Sequence, residues 1–183
     1  MIHHFLYHLL RDASLVRFNL RSAKDLRLSL KAQFEDLTLQ TADEDDFSHC
    51  MELLQNCGIY AVPWLQKVFK RRMNQLCSVA KDTKGRIVAC DFYMFEPSEQ
   101  QEDLIHGIYL AVAAEYRDRG LGSALRRFSL DCYDQGKLHG VSTLVPFGDV
   151  KALRCAQHCG FAITKSSAKP PAYYLFKDLN YKK

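Results

Sequence analysis

The spacing of apolar and polar residues divides most of the chain into short periodic segments. Phe34 to Gln40 alternates and predicts a first strand. Thr41-Ala42-Asp43-Glu44 reads as a capping box with acidic residues in the first helical turn, so a helix is expected to about Asn56, ended by Cys57-Gly58. Pro63 suits the first turn of a second helix, to about Asn74. Cys77 to Lys81 and Arg86 to Phe95 predict strands joined through an Asp82–Gly85 turn, with a polar loop from Glu96 to Asp103. Leu104 to Val112 is an apolar strand. The segment from about Leu121 to Lys137 places apolar residues at 121, 124, 125, 128 and 132, a helical stripe. Ser142 to Phe147 reads as a strand, Val150 to His158 as a helix, and Phe161–Thr164 and Ala172–Phe176 as closing strands. Before Phe34 the pattern is ambiguous. Residues 2–11 are apolar with interspersed His, and 15–33 mix Leu with Arg and Lys, which fits a helical pair or a strand with a helix.

This order predicts an α/β fold with a mixed sheet. The 183 residues suit one domain with an N-terminal extension, 1–33, ahead of 34–183. Hydrophobic content of 48% and charged content of 25% describe an ordinary globule. No apolar run approaches the roughly 20 residues that cross a bilayer, so no membrane partner is expected. The first residues lack the basic start and cleavage site of a signal peptide. Seven scattered cysteines indicate free thiols in a reducing, cytoplasmic setting. Cys155, His158 and Cys159 cluster at helical spacing without a second ligand pair, which reads as packing, and no metal is expected. A net charge of +4 favours an anionic ligand without a nucleic-acid motif, so nucleic acid is not an expected partner.

The most informative stretch is Val112-Ala113-Ala114-Glu115-Tyr116-Arg117-Asp118-Arg119-Gly120-Leu121-Gly122-Ser123-Ala124-Leu125. A strand runs into a short basic loop with two glycines, and the loop opens into an amphipathic helix. That order gathers free backbone N–H groups at the positive end of a helix dipole, an arrangement that binds phosphate without a metal. A Cβ at Gly120 or Gly122 would hold an anion off the backbone. The loop lacks the Gly-Lys-Ser/Thr ending of a Walker A motif and the third glycine of a dinucleotide fingerprint.

The spacing Arg117-x-x-Gly120-x-Gly122 resembles the pyrophosphate loop of the GNAT superfamily, the acyl-CoA-dependent N-acyltransferases. Farther on, Asp149-Val150-Lys151-Ala152-Leu153-Arg154-Cys155-Ala156-Gln157-His158-Cys159-Gly160-Phe161 resembles the family's second motif: Asn, three residues on Ala, four more on Tyr, then Gly-Phe. The resemblance covers about residues 36 to 177. It implies a GNAT-like mixed central sheet that is splayed and flanked by helices, with acetyl-CoA or another acyl-CoA as co-substrate. The splay would lie between strands 104–112 and 142–147 and would accept pantetheine along Leu110 and Val112. Arg117, Asp118, Arg119, Gly120, Leu121, Gly122 and Ser123 would carry the pyrophosphate, and Asp149 stands where the family's Asn contacts the cofactor.

Forming an amide requires an amine to lose a proton, a thioester oxygen to gain charge and a sulfur to leave. By resemblance the base is expected at His106, six residues before Val112, where histone acetyltransferases of the family carry a glutamate. An ordinary imidazole, with a pKa near about 6.5, suits that step. Glu102 and Asp103 are fallbacks through water. Two positions depart from the family pattern. Ala156 replaces the tyrosine acid and donates nothing, leaving Cys155, Tyr173 or Tyr174 as possible substitutes. Asp149 replaces Asn and cannot donate an N–H. Transfer of an acetyl group to a primary amine by direct attack is therefore the expected activity. A longer-chain acyltransferase and a non-catalytic CoA-binding sensor are the alternatives. In the family the acceptor site is shaped by regions that correspond to Cys57–Trp64 and Lys169–Tyr174, with Ile59, Tyr60, Val62 and Trp64 as an apolar wall or as core. The N-terminal basic segment is a candidate to cover that site or to hold a macromolecular substrate, and a homodimer is open.

Overall fold

The computed structural model describes residues 2–26 and 30–181, with side chains from Leu10 onward. Eight strands form one sheet in the order β1-β2-β3-β4-β5-β6-β8-β7. They are β1 (Lys31–Phe34), β2 (Leu37–Thr41), β3 (Cys77–Lys81), β4 (Ile87–Met94), β5 (Leu104–Val112), β6 (Gly140–Pro146), β7 (Ala162–Ala168) and β8 (Pro171–Asp178). Every neighbouring pair is antiparallel except β5 and β6. Helices α1 (Ile2–Ser22), α2 (Phe47–Asn56), α3 (Pro63–Leu76), α4 (Leu121–Tyr133) and α5 (Val150–His158) complete the fold. The sheet is mixed and flanked by helices, as expected.

Helix α4 covers one face of the sheet. Its predicted stripe of Leu121, Ala124, Leu125, Phe128 and Cys132 packs on Leu37, Leu39, Ala80 and Val88. Helices α2 and α3 cover the other face, where Leu54, Leu65, Phe69 and Leu76 meet Val79, Cys90 and Phe92. Each such Leu or Phe taken out of water contributes about 1.5–3 kcal/mol. Pro63 takes the first turn of α3, as expected, and α3 is broken locally at Arg72 (φ −136°) before it ends at Leu76.

Several boundaries differ from the expected ones. The strand expected over Phe34–Gln40 is two strands, β1 and β2, around a tight turn at Glu35 and Asp36, where Glu35 has φ 55°. The polar pair inside an alternating segment is the turn. The capping box is Asp43 with Asp46, two residues beyond Thr41–Glu44: Asp43 accepts from the Asp46 N–H, and Asp46 Oδ2 accepts from the Asp43 N–H at 3.1 Å. Helix α4 stops at Tyr133 rather than Lys137, and β7 and β8 extend each other as a longer hairpin than Phe161–Thr164 and Ala172–Phe176. Ahead of the sheet stands a single 21-residue helix, α1, followed by β1. Part of the expected 15–33 segment, residues 27–29, lies outside the described residues.

Helix α1 is docked by a polar clamp. Buried Asn19 donates through Nδ2 to the Phe95 carbonyl at 3.0 Å and accepts from the Phe95 N–H at 2.7 Å, so its amide substitutes for a strand neighbour just past β4. Replacing Asn19 by Ala leaves both Phe95 groups without partners. We expect a loss of about 2–4 kcal/mol in denaturant unfolding, since each orphaned buried polar group costs about 1–3 kcal/mol. A loss within about 0.5 kcal/mol, the size of an ordinary surface substitution, would show that α1 is not held this way.

Candidate active site

Beyond Val112 the chain makes one turn of 3-10 helix over Ala114–Tyr116, then reverses into α4. Asp118 (φ 57°) and Gly120 (φ 82°) make the reversal, and Gly120 is the N-cap of α4. Among the described residues, the N–H groups of Asp118, Arg119, Gly120, Leu121, Gly122 and Ser123 have no intramolecular acceptor; the first bonded amide is Ala124, to the Gly120 carbonyl at 3.0 Å. Six free amides thus gather at a helix N-terminus, a backbone arrangement suited to an anion. The side chains frame it. Lys151 pairs with Asp118 at 2.8 Å, and Arg119 pairs with Glu35 and stacks over Tyr116. Arg117 turns away from the turn, with Nε donating to the Val112 carbonyl at 2.9 Å and Nη2 to Cys57 Sγ at 3.3 Å.

The two glycines differ in their reasons. Gly120 is required by its left-handed backbone, and a Cβ there meets nothing. A Cβ on Gly122 would lie 3.6 Å from Val112 Cγ2, 3.7 Å from Leu110 Cδ2 and 3.9 Å from Cys155 Sγ, which is ordinary contact. The expectation that any Cβ at Gly122 lifts an anion off the turn is thus too simple; only a larger side chain fills the space beside β5.

That space is the mouth of a fork. Strands β5 and β6 pair only from Leu104/Gly140 to Gly107/Thr143, and Thr143 Oγ1 closes the ladder by donating to the Gly107 carbonyl at 2.8 Å. Past this point β5 keeps only β4. The Ala113 N–H bonds the Val88 carbonyl at 2.8 Å, which makes Ala113, Ala111 and Tyr109 the residues that exchange bonds with β4. By the alternation of an antiparallel ladder, the N–H and C=O of Leu110 and the N–H of Val112 point into the open fork. The Val112 carbonyl is already taken by Arg117 and Cys57.

A bulge sets the chemistry at the base of the fork. Phe92 pairs with Tyr109 but Tyr93 with Gly107, so Ile108 is an extra residue. The slip turns Gly107 toward α4, where a Cβ would collide with Arg126, and turns His106 to the opposite face from Leu110 and Val112. There His106 Nδ1 lies 2.7 Å from Ser142 Oγ, which donates to Glu99 Oε2 at 2.8 Å; Tyr174 OH donates to Glu99 Oε1 at 2.6 Å. His106, Glu99 and Ser142 are buried. Burial works to raise the Glu99 pKa, but His106, Tyr174 and Ser142 outweigh it and hold Glu99 below the ordinary glutamate value. Burial, then the Glu99 charge, pushes the Tyr174 hydroxyl up. Because the single Ser142 proton goes to an ionised Glu99, Ser142 must accept from His106. This fixes the Nδ1–H tautomer and leaves Nε2 as the ring's acceptor. Glu99 and Tyr174 line a cavity of about 460 Å³ with Glu102, Lys165 and Phe176.

The fallback residues stand apart from this chain. Glu102 is in the cavity wall without a bond to His106. Asp103, at φ 50°, accepts from Tyr181 OH at 2.9 Å and so ties down the C-terminal segment. Glu99 and Ser142 were missed. Ser142 lies 36 residues from His106, and Glu99, though near in sequence, falls in the segment read as a polar loop; only the parallel β5/β6 register and the 3-10 turn at Pro97–Glu102 bring them together. Of the supposed acceptor wall, Ile59 and Trp64 pack on the core, whereas Tyr60 and Val62 are exposed. Asp149 is the N-cap of α5, with Oδ1 accepting from the Ala152 N–H at 2.9 Å. An aspartate caps as well as an asparagine, which accounts for the departure locally.

Ala156 is buried, and its neighbour Cys155 faces the first turn of α4. A hydrogen bond from Cys159 draws the Cys155 pKa down against burial, with Ser123 and Arg126 adding, to about 6; the Cys159 pKa rises in return. The Cys50 thiol is drawn lower still, to about 5, but it is fully buried, so the half-buried Cys155 is expected to be the first of the seven thiols alkylated by iodoacetamide at about pH 7, and acetyl-CoA should slow that reaction several-fold. Peptide mass mapping reads both. Even labelling of all thiols, or no protection, would contradict this geometry. No group of three or more His, Cys, Asp or Glu side chains is arranged to hold a metal among the described residues, and no described helix is long and apolar enough to cross a membrane.

An acyl-CoA fits these features. Its pyrophosphate matches the six free amides, and its extended amide-bearing arm matches the unpaired edge of β5. The comparisons agree with that fit. The fold is shared with the NatC complex bound to Gag peptide and CoA (TM-score 0.68, 17% identity, 79% of this chain and 99% of that one). It is also shared with the ribosomal-protein-S5-alanine acetyltransferase from Vibrio fischeri (0.67, 13%, 85% and 100%) and with the dodecameric spermidine N-acetyltransferase from Vibrio cholerae (0.62, 14%, 79% and 95%). No curated protein matches the sequence. Residues 38–161, more than half of the chain, match the Acetyltransferase (GNAT) family. The chain belongs to that family, the GNAT acetyltransferases, whose acyl donor is acetyl-CoA.

Proposed function

We propose that this protein is an N-acetyltransferase that moves the acetyl group of acetyl-CoA to a primary amine by direct attack. The observation that carries the reading is the continuity of three features: six free amides, an open β5 edge, and a buried His106–Ser142–Glu99 chain at the base of the same fork. In this reading the pyrophosphate rests on the amides of Asp118–Ser123, and pantetheine pairs with Leu110 and Val112. His106 Nε2 accepts the proton that the amine releases. The resulting imidazolium is stabilised through Ser142 by the Glu99 carboxylate, a relay that also keeps the ring oriented. A backbone N–H on the fork edge is placed to meet the charge that grows on the thioester oxygen. The amine nitrogen forms a bond to the carbonyl carbon, the C–S bond breaks, and CoA leaves as thiolate. A thiol pKa near about 8.5 makes a proton donor useful rather than essential, which suits alanine at position 156.

Among the described residues, the adjacent cavity sets Glu99 and Glu102 against the single lysine Lys165, a balance that favours a cationic amine. Structural neighbours whose names specify ribosomal-protein alanine and spermidine support an amine as the class of acceptor. The test is to incubate the purified protein with acetyl-CoA and a panel of spermidine, simple alkylamines and peptides with free N-termini. Release of thiol should match the gain of one acetyl mass on at least one amine. Tight acetyl-CoA binding with no acetylated product across the panel would favour a CoA-binding module instead.

A further inference from the structure

A second concave surface lies away from the fork, between α1 and α3. The groove holds about 710 Å³. Its floor is apolar, formed by Val16 and Leu20 of α1 and by Pro63 and Trp64 of α3. Its walls are basic: Arg17, Arg21 and Lys24 stand on one side, and Lys67 and Arg71 on the other. All five are exposed, and none is ion-paired with a described residue. The residues whose side chains are not described, 1–9, 27–29, 182 and 183, include no aspartate or glutamate to neutralise them. The one acid in the lining, Asp12, already pairs with Arg11 at 3.2 Å. Arg72 serves the fold instead, donating through Nε to the Leu20 carbonyl at 3.2 Å and fixing the two helices together. The α1 side lies outside the residues that match the family, whereas the α3 side lies within them.

Five like charges facing one another across a groove repel at a cost to the fold that an anionic occupant would remove. We propose that the α1/α3 groove docks an acidic amphipathic helix of a partner protein. An apolar stripe of that helix would lie on Val16, Leu20 and Trp64, and its carboxylates would meet the two basic walls. This is recognition of a helix in a groove with charged rims. The form of the surface sets this occupant above other anions. Single-stranded nucleic acid requires successive aromatic platforms, and among the described residues of the lining Trp64 is the one aromatic side chain. A membrane surface requires apolar groups that protrude beside the cations, whereas Val16, Leu20 and Trp64 are recessed and partly buried.

The test uses the full chain without acyl-CoA, so its outcome is independent of acetyl transfer. The probe is a fluorescein-labelled peptide of about 18 residues, with leucines at helical i, i+3, i+4, i+7 spacing and glutamates on both flanks. Fluorescence anisotropy at about 50 mM salt should give saturable binding, weaker at about 300 mM. A variant carrying Arg17→Glu, Arg21→Glu and Arg71→Glu should bind at least tenfold more weakly. Its circular dichroism and acetyl-CoA affinity should match the parent, which separates loss of the groove from loss of the fold. Trp64→Ala, and a peptide of equal charge with serine in place of leucine, should each lower affinity about fivefold. Failure to saturate by about 1 mM peptide, or undiminished binding by the triple variant, would overturn the proposal. So would tighter saturable binding of an oligothymidylate or of phosphatidylglycerol vesicles, which would assign the groove to nucleic acid or to a membrane.

Discussion

Gly122→Leu is expected to weaken acetyl-CoA binding by about 100-fold, close to 2.7 kcal/mol, while leaving the fold in place. A Cβ at this position points at Leu110 Cδ2, Val112 Cγ2 and Cys155 Sγ, the side chains that border the mouth of the fork. An added isobutyl group would occupy the path between the free amides and the open β5 edge. Helix stability should rise slightly on losing a glycine, so unfolding and binding should move in opposite directions. Gly122→Ala should lose much less, because its methyl meets only ordinary contacts. Gly120→Ala should act by another route, forcing a side chain into a left-handed conformation (φ 82°) at a cost of about 1–2 kcal/mol. Calorimetric titration of the three variants gives the order. If Gly122→Leu binds as tightly as the parent, the ligand does not pass between α4 and β5.

His106→Ala should lower kcat for the best amine by about 10²–10³-fold with little change in the KM for acetyl-CoA, as loss of a proton acceptor predicts. Glu99→Gln is the more discriminating change. It keeps oxygen and nitrogen in place but removes the charge that stabilises an imidazolium through Ser142. A positively charged His106 is then harder to form, so the acidic limb of the kcat/KM profile should move to lower pH while the maximum rate falls. A merely structural Glu99 would lower stability without moving that limb. The sign on stability follows separately. The folded Glu99 pKa is depressed, so its contribution is present above the unfolded glutamate value of about 4.3 and is lost as pH falls through the lower folded value. Glu99→Gln should therefore cost stability near neutral pH and little at the acid end. Unchanged rate and pH dependence in both variants would remove the relay from the mechanism.

The periodicities that were easiest to read are those fixed by local packing. The stripe at 121, 124, 125, 128 and 132 is the buried face of α4, and Pro63 opens α3. The glycine turn was legible because its conformation is written in neighbouring residues. What escaped depends on register. A bulge at Ile108 cannot be seen in a strand that is apolar along nearly its whole length, yet it decides which face His106 takes. Ser142 and Glu99 carry no motif; each becomes informative only when a parallel pairing and a six-residue 3-10 turn bring it to His106. The Phe34–Gln40 segment failed for the opposite reason. Its alternation was real, but Glu35 adopts a positive φ that a non-glycine residue gives little warning of. Asp149 and Arg117 show a third limit. Their side chains are engaged by local partners, the Ala152 amide and the Val112 carbonyl, so a motif position alone does not say what a residue touches.

The most direct test of the central claim is a crystal structure of the protein with CoA. The pyrophosphate oxygens should rest on the backbone amides of Asp118 to Ser123, and the pantetheine amides should pair with Leu110 and Val112. The sulfur should lie at the base of the fork near Gly107 and Thr143, within reach of His106 Nε2. CoA bound elsewhere, with β5 and β6 unchanged and the amides of the turn empty, would contradict that claim.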